Sequence, residues 1–130
     1  MVLKLYFLKT HFYLTIILAF ISLLLLEGCS KYSDEVQANL TKLKETKSCS
    51  GCDLRGIELI SFDLKGADLS GANLTGANLK RSDLTGANLT DTNLTDADLL
   101  GVNLTGATLT NTNLTGVKLS YANINREENI

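Results

Sequence analysis

The sequence predicts an all-β solenoid, a four-sided β-helix of about four coils preceded by a capping α-helix. Three observations indicate this fold. From residue 52 onward the chain repeats every five residues, the central residue of each block is aliphatic, and the residue two places before it is small in most blocks. A period of five matches neither the 3.6 residues of an α-helical turn nor the two of a β-strand, so another winding must hold the central side chains on one axis. The central residues are Leu54, Leu59, Leu64, Leu69, Leu74, Leu79, Leu84, Leu89, Leu94, Leu99, Leu104, Leu109, Leu114, Leu119 and Ile124.

Residues 1–28 have the layout of a signal peptide. Lys4 and Lys9 precede residues 12–26, which carry no charge. A helix of that apolar run would be about 22 Å long, which is shorter than the roughly 30 Å hydrocarbon core of a bilayer. Adding residues 5–8 brings the run to bilayer length with Lys9 inside it, so an uncleaved anchor is the alternative.

The next five residues, LEGCS at positions 26–30, resemble the lipobox of bacterial lipoproteins. An aliphatic residue and a small residue precede Cys29, whereas Glu27 departs from the pattern because its position is usually small or apolar. The resemblance implies diacylglyceryl transfer to the Cys29 sulfur, cleavage before Cys29 and a lipid anchor in the cell membrane or the outer membrane. The same residues also fit ordinary signal cleavage before Lys31, which would release the protein.

Residues 29–51 are predicted to form a tether and a capping helix. Ser33 can cap a helix at about residues 33–46, and the two acidic residues after it suit the positive end of the helix. Three apolar residues follow at intervals of four and three, which places them on one helix face. They are Val36, Leu40 and Leu43. We expect this face to cover the first coil of the solenoid.

Residues 52–126 form the predicted solenoid. If each block makes one side of a square coil, four blocks close a turn, and adjacent coils stack about 4.8 Å apart through backbone hydrogen bonds. Asparagine or aspartate before the leucine can bond its own turn, and glycine at the end of a block tolerates corner dihedrals. These blocks resemble the A(D/N)LXX motif of the pentapeptide repeat family, and the resemblance implies a right-handed quadrilateral β-helix.

The C-terminal tail, residues 127–130, provides no second capping helix. The last coil is therefore expected either to fray or to pair with a second copy of the chain, which would give an end-to-end homodimer.

Cys49 and Cys52 stand where the predicted helix meets the repeats. A Cys-x-x-Cys pair can be half of a zinc site, a redox pair or a structural disulfide. Zinc needs about four ligands, and a thioredoxin-type redox site expects a strand before the pair and a helix after it. A disulfide suits an exported compartment best, with reduced thiols as an alternative. By the same resemblance, this pair recurs at the entry to the repeats in helix-capped pentapeptide repeat proteins.

The outer surface of the predicted solenoid is mostly polar. On three sides the residue after the leucine is threonine or serine in most coils, which is typical of solvent-facing β positions. The second side differs, because it carries a small apolar patch that a lysine interrupts. This candidate contact patch consists of Ile60, Lys80, Leu100 and Tyr121. Asp63 and Asp83 would stack one coil apart, and the fold itself explains that spacing because every coil has a turn Asp or Asn there.

Composition argues against catalysis and against nucleic-acid binding. The chain has 12 Lys+Arg and 14 Asp+Glu, so it lacks a basic surface for nucleic acid. His11 is the only histidine and lies in the signal peptide, so no catalytic residue, metal site or cofactor is predicted. The sequence predicts a non-enzymatic, envelope-anchored lipoprotein that acts as an interaction or structural module for an unidentified protein partner.

Two alternative functions follow from the same features. One is a DNA-mimic inhibitor of a type II topoisomerase, which the gyrase-protecting branch of the family suggests. Residues 52–126 carry eight acidic and six basic residues, which is too little net charge to imitate the phosphates of a duplex. The other alternative is a redox partner in the envelope that depends on Cys49 and Cys52.

Overall fold

The computed structural model describes residues 13–18 and 31–124. Residues 13–18 are helical and belong to a unit of their own, whereas the residues from Tyr32 onward form the second compact unit. In the described parts of the chain, no helix combines the length and the apolar character needed to cross a membrane. Cys29, the predicted lipid-attachment residue, and the tail 127–130 lie outside the described residues.

Parallel β-bridges between residues 20 apart define the coils. The bridges run from the pair Ser48↔Asp68 to the pair Asn103↔Asn123. Around one bridge, the Leu54 N–H donates to the Asn73 carbonyl at 2.8 Å and the Asn73 N–H donates to the Cys52 carbonyl at 2.9 Å. Each bridged stretch is a single residue long, so the described residues contain no longer strand. The leucine period of five thus corresponds to one side of a coil, and four sides close it.

Each corner is a β-turn closed by a backbone hydrogen bond. At the first full repeat, the Ile57 N–H donates to the Leu54 carbonyl at 3.3 Å, and Gly56 between them has a φ of 62°. A positive φ at the third residue of such a turn favours glycine, because a Cβ is strained there. Six solenoid corners nevertheless carry another residue with a φ of 55–60°. They are Ser61, Arg81, Asp91, Asp96, Asn111 and Tyr121.

The core is a column of leucine side chains along the solenoid axis. Eleven successive central residues, from Leu54 to Leu104, are buried, with small residues such as Ala67 and Ala87 beside them. The column is not fully enclosed in the last coil, where Leu114 is 38% exposed and Ile124 is 51% exposed. No further coil lies above these residues in the described chain, so one face of each side chain lacks a packing partner.

The helix before the solenoid spans Asp34–Thr46. The Ser33 hydroxyl accepts a hydrogen bond from the Val36 N–H at its start, and Lys47 ends it in the left-handed conformation with a φ of 52°. Val36, Leu40 and Leu43 are buried in the same cluster as the leucines of the solenoid. The Asn39 side chain also donates to the Asp53 carbonyl at 3.0 Å, so the helix is bonded to the first coil as well as packed against it.

The regular winding begins one block earlier than the predicted boundary at residue 52. Ser48 already forms a bridge with Asp68, and Gly51 already occupies a corner with a φ of 67°. Cys49 therefore stands at the position that leucine fills in later blocks, and Cys52 stands at the position of the small residue. The leucine pattern could not show this block, because its central residue is a cysteine.

Candidate interaction surface

The four sides of the solenoid present different chemistry to solvent. We call one of them side two; it consists of residues 57–61, 77–81, 97–101 and 117–121, which stack through the bridges from Glu58 to Lys118. The remaining three sides carry the threonine and serine residues that follow the leucines.

On the polar sides, threonine residues form hydrogen bonds with the asparagine two residues earlier. The Asn73 Oδ1 accepts from both the N–H and the hydroxyl of Thr75, at 3.1 and 2.6 Å. Asn93 and Thr95 repeat the arrangement one coil later. Because these hydroxyls already donate to a neighbour, they are not free to donate to a ligand.

Side two exposes the apolar residues of the predicted contact patch. Ile60 is 51% exposed and Tyr121 is 92% exposed, whereas Leu100 is half-buried. Lys80 lies between Ile60 and Leu100 in the stack and pairs with Asp98, with 3.1 Å between the Lys80 Nζ and a carboxylate oxygen. The structure places the four predicted residues on one side of the solenoid, or at its corner in the case of Tyr121.

Two lysines of side two approach the carboxylate of Asp98. Lys80 and Lys118 approach the same carboxylate oxygen, at 3.1 and 3.9 Å. Burial raises the pKa of Asp98, but the Lys80 hydrogen bond, the Leu100 N–H and the charges of both lysines together hold that pKa below its usual value. Asp98 therefore stays ionised, and a single carboxylate faces two ammonium groups.

The stacked carboxylates Asp63 and Asp83 do not form a catalytic pair. Lys47 pairs with Asp63 at 2.9 Å and Lys65 pairs with Asp83 at 3.2 Å. The hydrogen bond from Lys47 lowers the pKa of Asp63, and the hydrogen bond from Thr85 lowers the pKa of Asp83. A shared proton would require one raised pKa, so both groups are ionised structural residues.

Cys49 and Cys52 are joined by a disulfide. The bond spans the first corner turn, in which the Cys52 N–H also donates to the Cys49 carbonyl at 3.2 Å. Cys49 is completely buried and Cys52 is 7% exposed, so both sulfurs belong to the core. Counting the five-residue repeat back by one block places Cys49 at a central, inward-facing position. That position explains why the disulfide is buried.

Buried hydroxyls inside the solenoid have roles that the repeat pattern did not predict. Ser82 and Thr92 replace alanine next to the leucines, and each is about 1% exposed. The Thr92 hydroxyl donates to the Leu69 carbonyl of the preceding coil at 2.8 Å, and the Ser82 hydroxyl donates to the Leu59 carbonyl. These bonds satisfy the hydroxyl groups and join successive coils from the inside.

The repeats match a known family model. The model, Pentapeptide repeats, matches residues 48–86 and 82–120 with eight copies, which is more than half of the chain. The chain belongs to the pentapeptide repeat family. Membership implies that the four-sided solenoid is a right-handed quadrilateral β-helix, and proteins of this family are generally non-enzymatic structural or interaction modules.

Solved pentapeptide repeat structures resemble the chain over much of its length. A pentapeptide repeat protein from the thylakoid lumen of Arabidopsis thaliana is 30% identical with a TM-score of 0.62, and the match covers 78% of this chain and 66% of that one. QnrB1, a plasmid-mediated fluoroquinolone resistance protein, is 23% identical with a TM-score of 0.54 over 61% of this chain and 38% of its own. This pentapeptide repeat chain thus spans slightly less than two thirds of the first relative and well under half of the second. No curated protein matches its sequence significantly.

Proposed function

We propose that this pentapeptide repeat protein is a lipid-anchored, non-enzymatic module of the cell envelope that binds a protein partner or serves as a structural element. In this proposal residues 1–28 are a lipoprotein-type signal peptide and residues 29–51 contain a tether and the capping helix. The solenoid has about four coils, and the helix Asp34–Thr46 covers its N-terminal end. The anchor is a lipid on Cys29, in the cell membrane or the outer membrane.

One observation carries the proposed role: in the described solenoid, side two alone has apolar residues at the outward positions after the leucines, Ile60 and Leu100, beside basic residues. The other three sides are polar ladders, and five of their six aspartates are held by lysine, by arginine, by turn hydrogen bonds or, for Asp91, by the Asn111 amide. In the part of the chain that the structure describes, no three His, Cys, Asp or Glu residues are grouped as metal ligands would be.

Metabolic labelling with palmitate tests the anchor. The wild-type protein is expected to incorporate the label, and a Cys29→Ser variant is expected to lose it, because the acyl chains are attached through Cys29. Equal labelling of both proteins would contradict the lipoprotein proposal.

Crosslinking in intact cells, followed by purification of the protein and mass spectrometry, tests the interaction role. We expect a protein partner whose capture depends on side two. An Arg81→Glu variant serves as the test, and an Arg55→Glu variant on another side serves as the matched control. Equal recovery of the partner with both variants would place the contact elsewhere.

The disulfide supports a structural role for the cysteine pair. Thiol–disulfide exchange requires access to a sulfur, whereas Cys49 is completely buried and Cys52 nearly so. The native protein is expected to be two hydrogens lighter by intact mass than the fully reduced protein. Free thiols after purification without reductant would count against the disulfide.

The charge pattern gives little support to the DNA-mimic alternative. Asp53 pairs with Arg55 at 2.6 Å, and Asp63, Asp83 and Asp98 each pair with lysine. A surface that imitates duplex phosphates needs a continuous row of unpaired negative charges. The likeness to QnrB1 concerns the fold alone. Binding to a purified type II topoisomerase would favour this alternative instead.

Exposed apolar residues of the last described coil support pairing with a second copy. Leu114 and Ile124 present exposed apolar surface there, and burial of such surface favours association. Sedimentation velocity is expected to show a dimer that Ile124→Glu disrupts. A monomer at all concentrations would contradict the end-to-end homodimer.

A further inference from the structure

Side two is the only side of the solenoid on which basic residues outnumber acidic ones within residues 52–124. It carries Glu58 and Asp98 together with Lys80, Arg81 and Lys118. The other three sides carry two basic residues, Arg55 and Lys65, and six aspartates. The aspartates are Asp53, Asp63, Asp68, Asp83, Asp91 and Asp96. A weakly acidic rod therefore has one electropositive side.

The positive charge on side two is not fully neutralised by the ion pairs of the described residues. Lys80 and Lys118 share the single carboxylate of Asp98. None of the ion pairs between described residues involves Arg81, which is exposed. At neutral pH this leaves a guanidinium and part of an ammonium charge available to an anionic partner.

At the corner beside this charge, two residues other than glycine have a positive φ. Arg81 has a φ of 57° and Tyr121 has a φ of 60°, although glycine would be favoured at both positions. Gly101 lies between them in the stack, and a Cβ there would be 3.6 Å from the Arg81 Cγ. The Arg81 Cγ thus lies beside Gly101, which is in the next coil.

The side chains along this edge have the chemistry of a binding hot spot. Tyrosine and arginine are enriched among residues that dominate protein–protein binding energy. Ile60 and Leu100 add exposed and half-buried aliphatic surface next to them. A guanidinium prefers to bind a carboxylate through two parallel hydrogen bonds, and an apolar side chain would bury Leu100 and the Tyr121 ring.

We propose that side two binds a peptide segment of a partner protein that carries carboxylates together with at least one aliphatic anchor residue. The carboxylates pair with Arg81 and Lys118, and the anchor packs on Leu100 and Tyr121. The inference rests on the proposed interaction role and names the chemistry of the partner.

The test measures binding of two labelled peptides by fluorescence anisotropy. The probes are an N-acetylated, C-amidated peptide of alternating Glu and Leu and its counterpart of alternating Lys and Leu. The protein is the full chain with Cys29→Ser, purified in detergent. We expect the glutamate peptide to bind at least ten-fold more tightly than the lysine peptide, and raised salt to weaken it.

Two glycine variants separate binding from folding. Arg81→Gly and Tyr121→Gly remove the proposed contacts and relieve the strained φ, so each is expected to be at least as stable as the parent in urea while binding the glutamate peptide at least five-fold more weakly. Arg55→Glu, on another side, is the control and is expected to change the affinity less than two-fold. Absence of binding, equal binding of both peptides, or equal loss with the control variant would overturn the proposal.

The outcomes distinguish this inference from the interaction role itself. If crosslinking in cells captures a partner through side two but the glutamate peptide does not bind, the interaction role stands and the acidic-peptide inference fails. If Arg81→Gly abolishes self-association of the protein and the peptide does not bind, side two is a contact between copies, and the inference fails as well.

Discussion

At the residue scale, a central leucine contributes differently to the free energy of unfolding in different coils. A central leucine between two coils is enclosed by leucines above and below and by small residues beside it, as Leu84 is. A central leucine in the last coil has neighbours on one side only, as Leu114 has. Since the cost of truncating a side chain depends on the packing that is removed and on the cavity that remains, identical residues are not equivalent.

Leu84→Ala is expected to lower the free energy of unfolding by about 2–5 kcal/mol, because a fully buried leucine leaves a cavity when it is truncated. Leu114→Ala is the matched control and is expected to cost about 1 kcal/mol, because its side chain is already partly in water. Urea unfolding followed by circular dichroism measures both. Equal losses would mean that the last coil is covered in solution.

The corners provide a second prediction at this scale. Gly76 has a φ of 66° and open space around it, so Gly76→Ala isolates the conformational cost of a Cβ, about 1 kcal/mol. Asp96 stands at the same corner one coil later with a φ of 56°, and Asp96→Gly is expected to stabilise by somewhat less than about 1 kcal/mol. Urea midpoints that shift in the same direction for both variants would contradict the strain argument.

At the scale of elements, the helix and the first coil form one cooperative end of the molecule. The helix buries three apolar residues, donates from Asn39 to the first coil, and is followed at once by the disulfide corner. The Glu58 N–H donates to the Tyr32 hydroxyl at 3.0 Å, which ties the segment before the helix to the same coil. The first coil is therefore covered, whereas nothing within residues 31–124 covers the last.

Reduction of the disulfide is expected to lower the free energy of unfolding by about 2 kcal/mol, because it closes a loop of only a few residues in the unfolded chain. The control is the double variant Cys49→Leu and Cys52→Ala, which restores the residues of the later blocks. That variant is expected to keep the coil register and to be insensitive to reductant. Unfolding of the whole chain on reduction would show that the disulfide, and not the core, holds the first coil.

At the scale of the whole molecule, stability comes from contacts between successive coils. Every coil repeats the same backbone ladder, so each coil depends on its neighbours and the two ends are special. The carboxylates outside the ladder also join coils, as in the pair between Lys65 and Asp83. Several aspartates have a lowered pKa in the folded protein. They are Asp53, Asp63, Asp68, Asp83 and Asp98.

Acid is expected to destabilise the protein. Because the folded pKa of these aspartates lies below the usual 3.8, the stability that they contribute is present above that pH and is lost as pH falls through the folded values. The urea midpoint should be nearly constant from about pH 5 to 7 and should drop below about pH 4. Asp68→Asn, which places the residue of the next coil at this position, should reduce the drop. A midpoint that rises below about pH 4 would contradict the assignment.

The sequence by itself determined the solenoid, its four sides and the side on which apolar residues collect. It could do so because the fold repeats every 20 residues, so the strict period of five allows stacked neighbours such as Ile60, Lys80 and Leu100 to be read directly from their numbers. The helix was also predictable, from a capping serine and three apolar residues on one face, and it is observed at Asp34–Thr46.

Only the tertiary structure decided where the winding begins and which repeats are enclosed. Cys49 joins the leucine column through a bridge at Ser48 that no leucine marks, and the exposure of Leu114 and Ile124 depends on what lies above them rather than on their own identity. The pairing of Asp98 with two lysines, and the position of the Arg81 Cγ beside Gly101, likewise depend on side-chain directions across coils. A repeat pattern specifies which residues are neighbours within the stack. The burial of residues at the ends of the solenoid and the pairing of charged side chains depend on the contacts that those neighbours make.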